Sequence, residues 1–251
     1  SLRLFIIYIF YIFKIIQKYI CVYIMKQVIT SKKKHLKSKK KYLKSKNKKK
    51  KKNNDNIYIF SYGGIINSNS RNYTKETLYS KAIPVILKKS AGYERNWVTL
   101  ENSNHGKFSF LGINKTKNNN NINGVLFKIN KNDLIKFDKR ELPDYYRRKI
   151  NRKFFKHYFN KDLPNNIIIY TYIIKKKYLN DNKCPILQTY LDVVLQGCLE
   201  YNNKFAKMFL DTTGNWKPIY NDRVNKLYSN FKNIKLNYKQ IDNILKNTKC
   251  F

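Results

Sequence analysis

Residues 57–66 read Ile57-Tyr58-Ile59-Phe60-Ser61-Tyr62-Gly63-Gly64-Ile65-Ile66. Ile57–Phe60 is a short apolar run broken by paired glycines, the pattern of a buried strand entering a turn. Downstream, Ala82–Leu87 and Asn96–Thr99 read as further strands, and Gly124–Ile129 (GVLFKI) as a strong one after the polar loop Asn118–Asn123. Lys131 starts a short helix that reaches Phe137, and Ile167–Ile174 (IIIYTYII) has the composition of a buried strand. Cys184-Pro185 then opens the best helix pattern, proline being suited to a first turn. There Leu187, Leu191, Val194, Cys198 and Tyr201 recur at helical spacing and continue to Phe205 and Phe209. Asn202-Asn203 divides this stretch in two, and Gly214 closes it. Strands first and helices late predict an α+β fold rather than alternating α/β.

Charge divides the chain. The whole carries 53 basic against 15 acidic residues, a net +38. Within the first 56 positions stand Arg3 and 17 lysines against Asp55 alone. Four segments are expected: a hydrophobic leader over 1–25, a lysine-rich linker or transit segment over 26–56, a folded domain over 57–223 and a basic tail over 224–251. The uncharged run Leu4–Phe13 is too short for a transmembrane helix, which needs about 20 apolar residues, but fits a signal-peptide core. A signal anchor with snorkelling lysines, or a leader that ends before an initiating Met25, reads equally well. The lysine run repels itself and offers little to bury, which predicts disorder. A hydrophobic start followed by a basic, acid-poor segment resembles a bipartite leader for a secondary plastid. The default location is cytoplasmic, the plastid-like organelle is the alternative, and membrane attachment is expected only if the leader is real.

Codon bias toward A/T accounts for part of the lysine, asparagine, isoleucine and tyrosine. Polyanion attraction follows physically but identifies no partner. With Tyr42 alone interleaved, the run lacks a stacking platform, so specific nucleic-acid binding is not expected. Four scattered cysteines (Cys21, Cys184, Cys198, Cys250) and three scattered histidines (His35, His105, His157) form no ligand spacing. Neither a metal site nor a disulfide framework is expected, and reduced thiols suit a reducing compartment.

Two places could carry chemistry. The Gly63-Gly64 bend can point backbone N–H groups into a concavity that holds a carboxylate or an oxyanion. The cluster Phe137-Asp138-Lys139-Arg140-Glu141 supplies a carboxylate about twelve residues after the GVLFKI strand. Taken singly, the first is a plain turn and the second a solvated helix end.

In this order, the two resemble the gamma-glutamylcyclotransferase-like superfamily, whose pattern is Y-G-S-L, a G-x-L-F strand, a short helix, L-D-x-x-E and a following tyrosine. Here these stand as Tyr62-Gly63-Gly64-Ile65, Gly124-Val125-Leu126-Phe127, Phe137 to Glu141, and Tyr145-Tyr146-Arg147-Arg148. Small members of the superfamily with a Y-G-S-L-I-N-x-x-S-R start are matched further, by Tyr62 to Arg71, Arg95-Asn96-Trp97, Pro185 to Asp192, Trp216 and Asn221-Asp222-Arg223. Gly64 departs from the usual serine and Phe137 from the usual leucine.

The resemblance implies a small, mostly antiparallel β-barrel flanked by helices, with the glycine loop and Glu141 facing one cavity. It implies release of 5-oxoproline from a gamma-glutamyl peptide or amine without a cofactor, by a monomer or weak dimer. Glu141 would be the general base, and Tyr62, Gly63, Gly64, Ile65 and Tyr146 would hold the substrate, with Tyr145 the other candidate for the tyrosine. Asp138 is expected to satisfy nearby backbone; Arg71 and Arg223 are expected either at the substrate or in ion pairs. Specificity loops are expected around 102–123 and 151–166. Two other functions compete: a catalytically silent ligand-binding relative, suggested by Gly64, and a lysine-driven nucleic-acid-associated protein, which lacks any helix-turn-helix, RNP-type or zinc-finger pattern.

Overall fold

The computed structural model describes residues 56–73, 82–102, 106–117, 120–178, 184–227 and 234–247. These all fall in the unit Asp55–Phe251. The expected leader over 1–25 and the lysine-rich segment, save Asn56, lie outside the described residues.

Strand β1 (Ile57–Ser61) is buried along its whole length. It pairs antiparallel with β5 (Ile122–Ile129), Ser61 opposite Val125, and parallel with β8 (Ile168–Ile174), Ile57 opposite Ile168. A central strand covered on both faces has no wet side, which explains an unbroken apolar run in place of alternation. The sheet is completed by β2 (Ile83–Leu87), β6 (Tyr145–Ile150) and β7 (Phe155–His157), in the order β6-β8-β1-β5-β2-β7.

A second sheet of five strands runs β10-β3-β4-β9-β11, from β3 (Tyr93–Asn102), β4 (Gly106–Lys115), β9 (Ile186–Leu187), β10 (Thr213–Gly214) and β11 (Ile219–Tyr220). Its main ladder is the antiparallel β3–β4 hairpin, in register from Tyr93 opposite Lys115 to Asn102 opposite Gly106. The strands of the expected barrel are thus shared between two sheets. They touch closely at Gly112 of β4, where a Cβ would lie 3.0 Å from Ile174 Cβ of β8. They also touch where the Tyr145 hydroxyl donates to Leu111 O at 2.9 Å.

Five helices complete the α+β fold: α1 (Ser68–Tyr73), α2 (Lys131–Glu141), α3 (Gln188–Leu199), α4 (Asn203–Asp211) and α5 (Tyr238–Lys246). Nearly every residue of α3 is buried, as a helix apolar all round requires. Asn202 separates α3 from α4 by capping the latter, accepting from Phe205 N at 2.7 Å.

Three boundaries differ from expectation. Ile186 and Leu187 are strand rather than helix, because Ile186 N donates to Pro218 O and Pro185 O accepts from Ser109 N. The expected loop over 102–123 contains all of β4 and the start of β5. The tail beyond Arg223 carries α5, whose Ile241 is fully buried. Tyr238, Ile241 and Leu245 had helical spacing hidden among lysine and asparagine. Arg223 fixes this helix by bridging Asp192 of α3 to Asp242 of α5.

Candidate active site

Helix α2 opens on Asn130, whose side chain accepts from Asp133 N at 2.8 Å. It continues one turn past Phe137, to Glu141. Phe137 is fully buried and packs against Phe127 of β5 with ring centroids 5.4 Å apart. Positions four apart share a helix face, so the face pinned to the core by Phe137 also turns Glu141 inward. Asp138 does not serve nearby backbone as expected. Its carboxylate takes the Tyr172 hydroxyl at 2.9 Å and pairs with Arg147, tying α2 to β8 and β6.

At the end of β1, Gly64–Ile66 form a single 3₁₀ turn in which Ile66 N donates to Gly63 O at 2.8 Å. The first amides of such a turn have no acceptor within it. Gly63 is needed for close approach: a Cβ there would lie 3.1 Å from Tyr190 Oη and 3.4 Å from Leu111 Cβ. Arg71 grips the turn from behind, donating to Ile65 O at 3.1 Å and to Ile66 O. It also lies 3.9 Å from Glu200. Arg71 and Arg223 are therefore held by protein partners. Gly197 of α3 presses on the same turn, where a Cβ would come within 2.3 Å of Asn67 N.

These elements enclose a cavity of about 320 Å³. Glu141 lines it, as do Tyr62, Gly63, Gly64 and Ile65. Tyr145, Tyr172 and Tyr190 supply further aromatic wall. Tyr146, the tyrosine named for the substrate, is not part of that lining. It is 42 % exposed beside Arg147 on the edge strand β6, whereas Tyr145 points inward. Strand alternation decides between the neighbours. The register could not be fixed from Tyr145-Tyr146-Arg147-Arg148 alone, because that basic run conceals the strand.

Burial holds the Glu141 carboxyl above the usual carboxylate range; Arg140 opposes the shift and Asp144 adds to it. The Glu141 side chain is 16 % exposed, and Arg140 Nε lies 3.1 Å from its Oε1. The Tyr62 phenol is pushed well up by burial, then by the nearby Glu141 charge, and donates to Tyr172 O at 2.6 Å. The Tyr172 phenol is raised as well, first by burial and then by its bond to Asp138. Neutral phenols thus surround a carboxylate made more basic by its setting. That is an arrangement for taking a proton from a small ligand. Among the described residues no group of three or more His, Cys, Asp or Glu is placed to hold a metal ion.

Arg95 was legible only as part of a motif, and its depth was not. It is fully buried, with Nε donating to Thr213 Oγ1, Nη1 to Asn123 O and Tyr62 O, and Nη2 to Asn123 Oδ1, Phe209 O and Thr212 Oγ1. Burial pulls its guanidinium down to about 9, so it remains charged at neutral pH. It fixes the Tyr62 carbonyl immediately before the glycine turn.

No protein-family model matches the chain, and no curated protein does. Among solved structures it is similar to a gamma-glutamyl cyclotransferase at 14 % identity and TM-score 0.46, over 75 % of this chain and 98 % of that one. It is similar also to an uncharacterized protein from Homo sapiens, at 15 % identity and TM-score 0.46, over 75 % and 97 %. A gamma-glutamyl cyclotransferase specific to glutathione from yeast matches at 12 % identity and TM-score 0.36, over 77 % and 95 %. The superfamily named by these structures is the one the sequence motifs resemble.

Proposed function

We propose that this chain is a gamma-glutamylcyclotransferase-type enzyme that releases 5-oxoproline from a gamma-glutamyl compound, with Glu141 as general base. One observation carries the reading: the buried Glu141 carboxylate and the Gly63–Ile65 turn line the same cavity of about 320 Å³. That volume suits a ligand the size of a glutamyl group.

The substrate brings its own nucleophile. Its alpha-amine attacks the gamma-carbonyl carbon, Glu141 takes the amine proton, and the new carbon–nitrogen bond closes a five-membered lactam. The scissile carbon–nitrogen bond then breaks and the leaving nitrogen receives the proton. Amides of the glycine turn hold the alpha-carboxylate or the developing oxyanion. Folding the glutamyl chain inside the tyrosine wall makes the attack intramolecular, which supplies much of the acceleration. No cofactor enters this sequence of steps.

Gly64 favours a second reading, a silent relative that binds the ligand without turning it over, because the hydroxyl of the usual serine is missing from the turn. The purified chain is to be incubated with gamma-glutamyl amino acids, gamma-glutamyl amines and glutathione, and 5-oxoproline measured. Release that disappears in Glu141→Gln supports the enzyme. Binding without release supports the silent relative.

A further inference from the structure

Arg140 is the one basic side chain among the described residues that line the cavity. It lies next to the base, with Nε 3.1 Å from Glu141 Oε1, and its side chain is 25 % exposed, so solvent and ligand reach it. The other charged groups of the lining are the acids Glu141 and Asp144. Asp144 is engaged elsewhere, its Oδ1 accepting from the Tyr178 hydroxyl at 2.6 Å.

In the resting cavity the Arg140–Glu141 pair works against proton abstraction, because an adjacent guanidinium stabilises the carboxylate and makes it a weaker base. A ligand carboxylate that draws the guanidinium away removes that restraint at the moment of binding. Guanidinium is well suited to such an exchange, since it offers five donors in a planar fork that matches a carboxylate. The glycine turn serves the glutamyl end of the ligand under the proposed function, which leaves the cation for the other end. Contact between Arg140 and Glu141 also limits its reach to groups close to the bond being broken.

Resting on that reading of the reaction, we propose that Arg140 is a specificity-determining residue that binds a carboxylate carried by the leaving amine. The substrate class is then gamma-glutamyl amino acids, with the carboxylate one carbon from the scissile nitrogen, in preference to gamma-glutamyl amines that lack it. Arg140 changes partners without giving up a proton. The alpha-amine proton still passes through Glu141 to the leaving nitrogen as the lactam closes.

The test compares gamma-glutamyl-glycine with gamma-glutamyl-methylamine, which differ by the carboxylate, in the wild-type chain and in Arg140→Gln and Arg140→Lys. A charge-assisted bond is worth about tenfold to a hundredfold. The wild type is therefore expected to favour gamma-glutamyl-glycine by that factor in kcat/KM, mainly through KM. Arg140→Gln abolishes the preference and Arg140→Lys keeps part of it. Losing the cation also shifts Glu141, but that acts on both substrates alike, so the ratio isolates the carboxylate contact. An equal loss on both substrates assigns Arg140 to the glutamyl alpha-carboxylate and overturns the proposal, as does a wild type with no preference. If neither compound is turned over, the reaction assignment fails separately. Titration calorimetry of the same pair against wild type and Arg140→Gln then decides the site, equal binding or none overturning it.

Discussion

Glu141 carries opposing demands in one side chain. Its carboxyl is raised by burial, so the folded protein keeps that proton to a higher pH than the unfolded chain does. The folded state binds more protons across this interval, and stability falls as pH rises through it. The stabilising contribution is complete below the unfolded carboxyl value of about 4.3 and is lost as pH climbs through the folded value. Glu141→Gln has no such titration. Denaturant melts on both proteins are expected to show the wild type losing ground to the variant as pH is raised from about 4 toward neutrality. A constant difference would mean that the carboxyl is not held above its ordinary range. Activity runs the other way, because the base works only once ionised.

Among the elements, α2 and the 3₁₀ turn at Gly64–Ile66 meet at the cavity, and each is held by contacts that can be removed singly. Asp138→Asn weakens the tie from α2 to Tyr172 and Arg147 without touching the cavity wall. It is expected to lower kcat about tenfold while leaving helix content unchanged by circular dichroism, through looser placement of Glu141. The turn rests on α3 at Gly197, where a Cβ would meet Asn67 N at 2.3 Å and backbone cannot yield cheaply. Gly197→Ala is expected to cost about 3 kcal/mol in a urea titration. Much of this level was readable in the sequence. The β1 run, the GVLFKI strand, the paired glycines and the division at Asn202 all rest on local patterns that tertiary packing leaves intact. What was hidden had its signal masked by charge: β6 behind Arg147-Arg148-Lys149, β4 behind a polar stretch, α5 behind lysine and asparagine. Glu141 was found through motif order. The inward tyrosines Tyr172 and Tyr190 had no such mark, because an aromatic in an apolar run looks the same whether it lines a cavity or fills a core.

For the whole molecule, Arg95 joins parts that lie far apart in sequence. From β3 it reaches Asn123 of β5 in the other sheet, Phe209 and Thr212 at the end of α4, Thr213, and the backbone before the glycine turn. No carboxylate appears among those partners, so the charge is solvated by fixed dipoles, in the manner of a buried polar network that is fully satisfied. Arg95→Met would strand the Asn123 and Phe209 carbonyls it now satisfies. A cost of about 3 kcal/mol or more is expected, read as a drop in the denaturation midpoint. Unchanged stability would mean that the two sheets hold together without it.

The direct measurement is 5-oxoproline release followed from about pH 5 to about pH 9 in the wild-type chain and in Glu141→Gln. With Glu141 as base, the wild-type rate rises with pH through one ionisation, and the variant falls by about 10²–10⁴-fold with that limb absent. A Glu141→Gln protein that releases 5-oxoproline at the wild-type rate, with the same pH limb, would contradict the assignment.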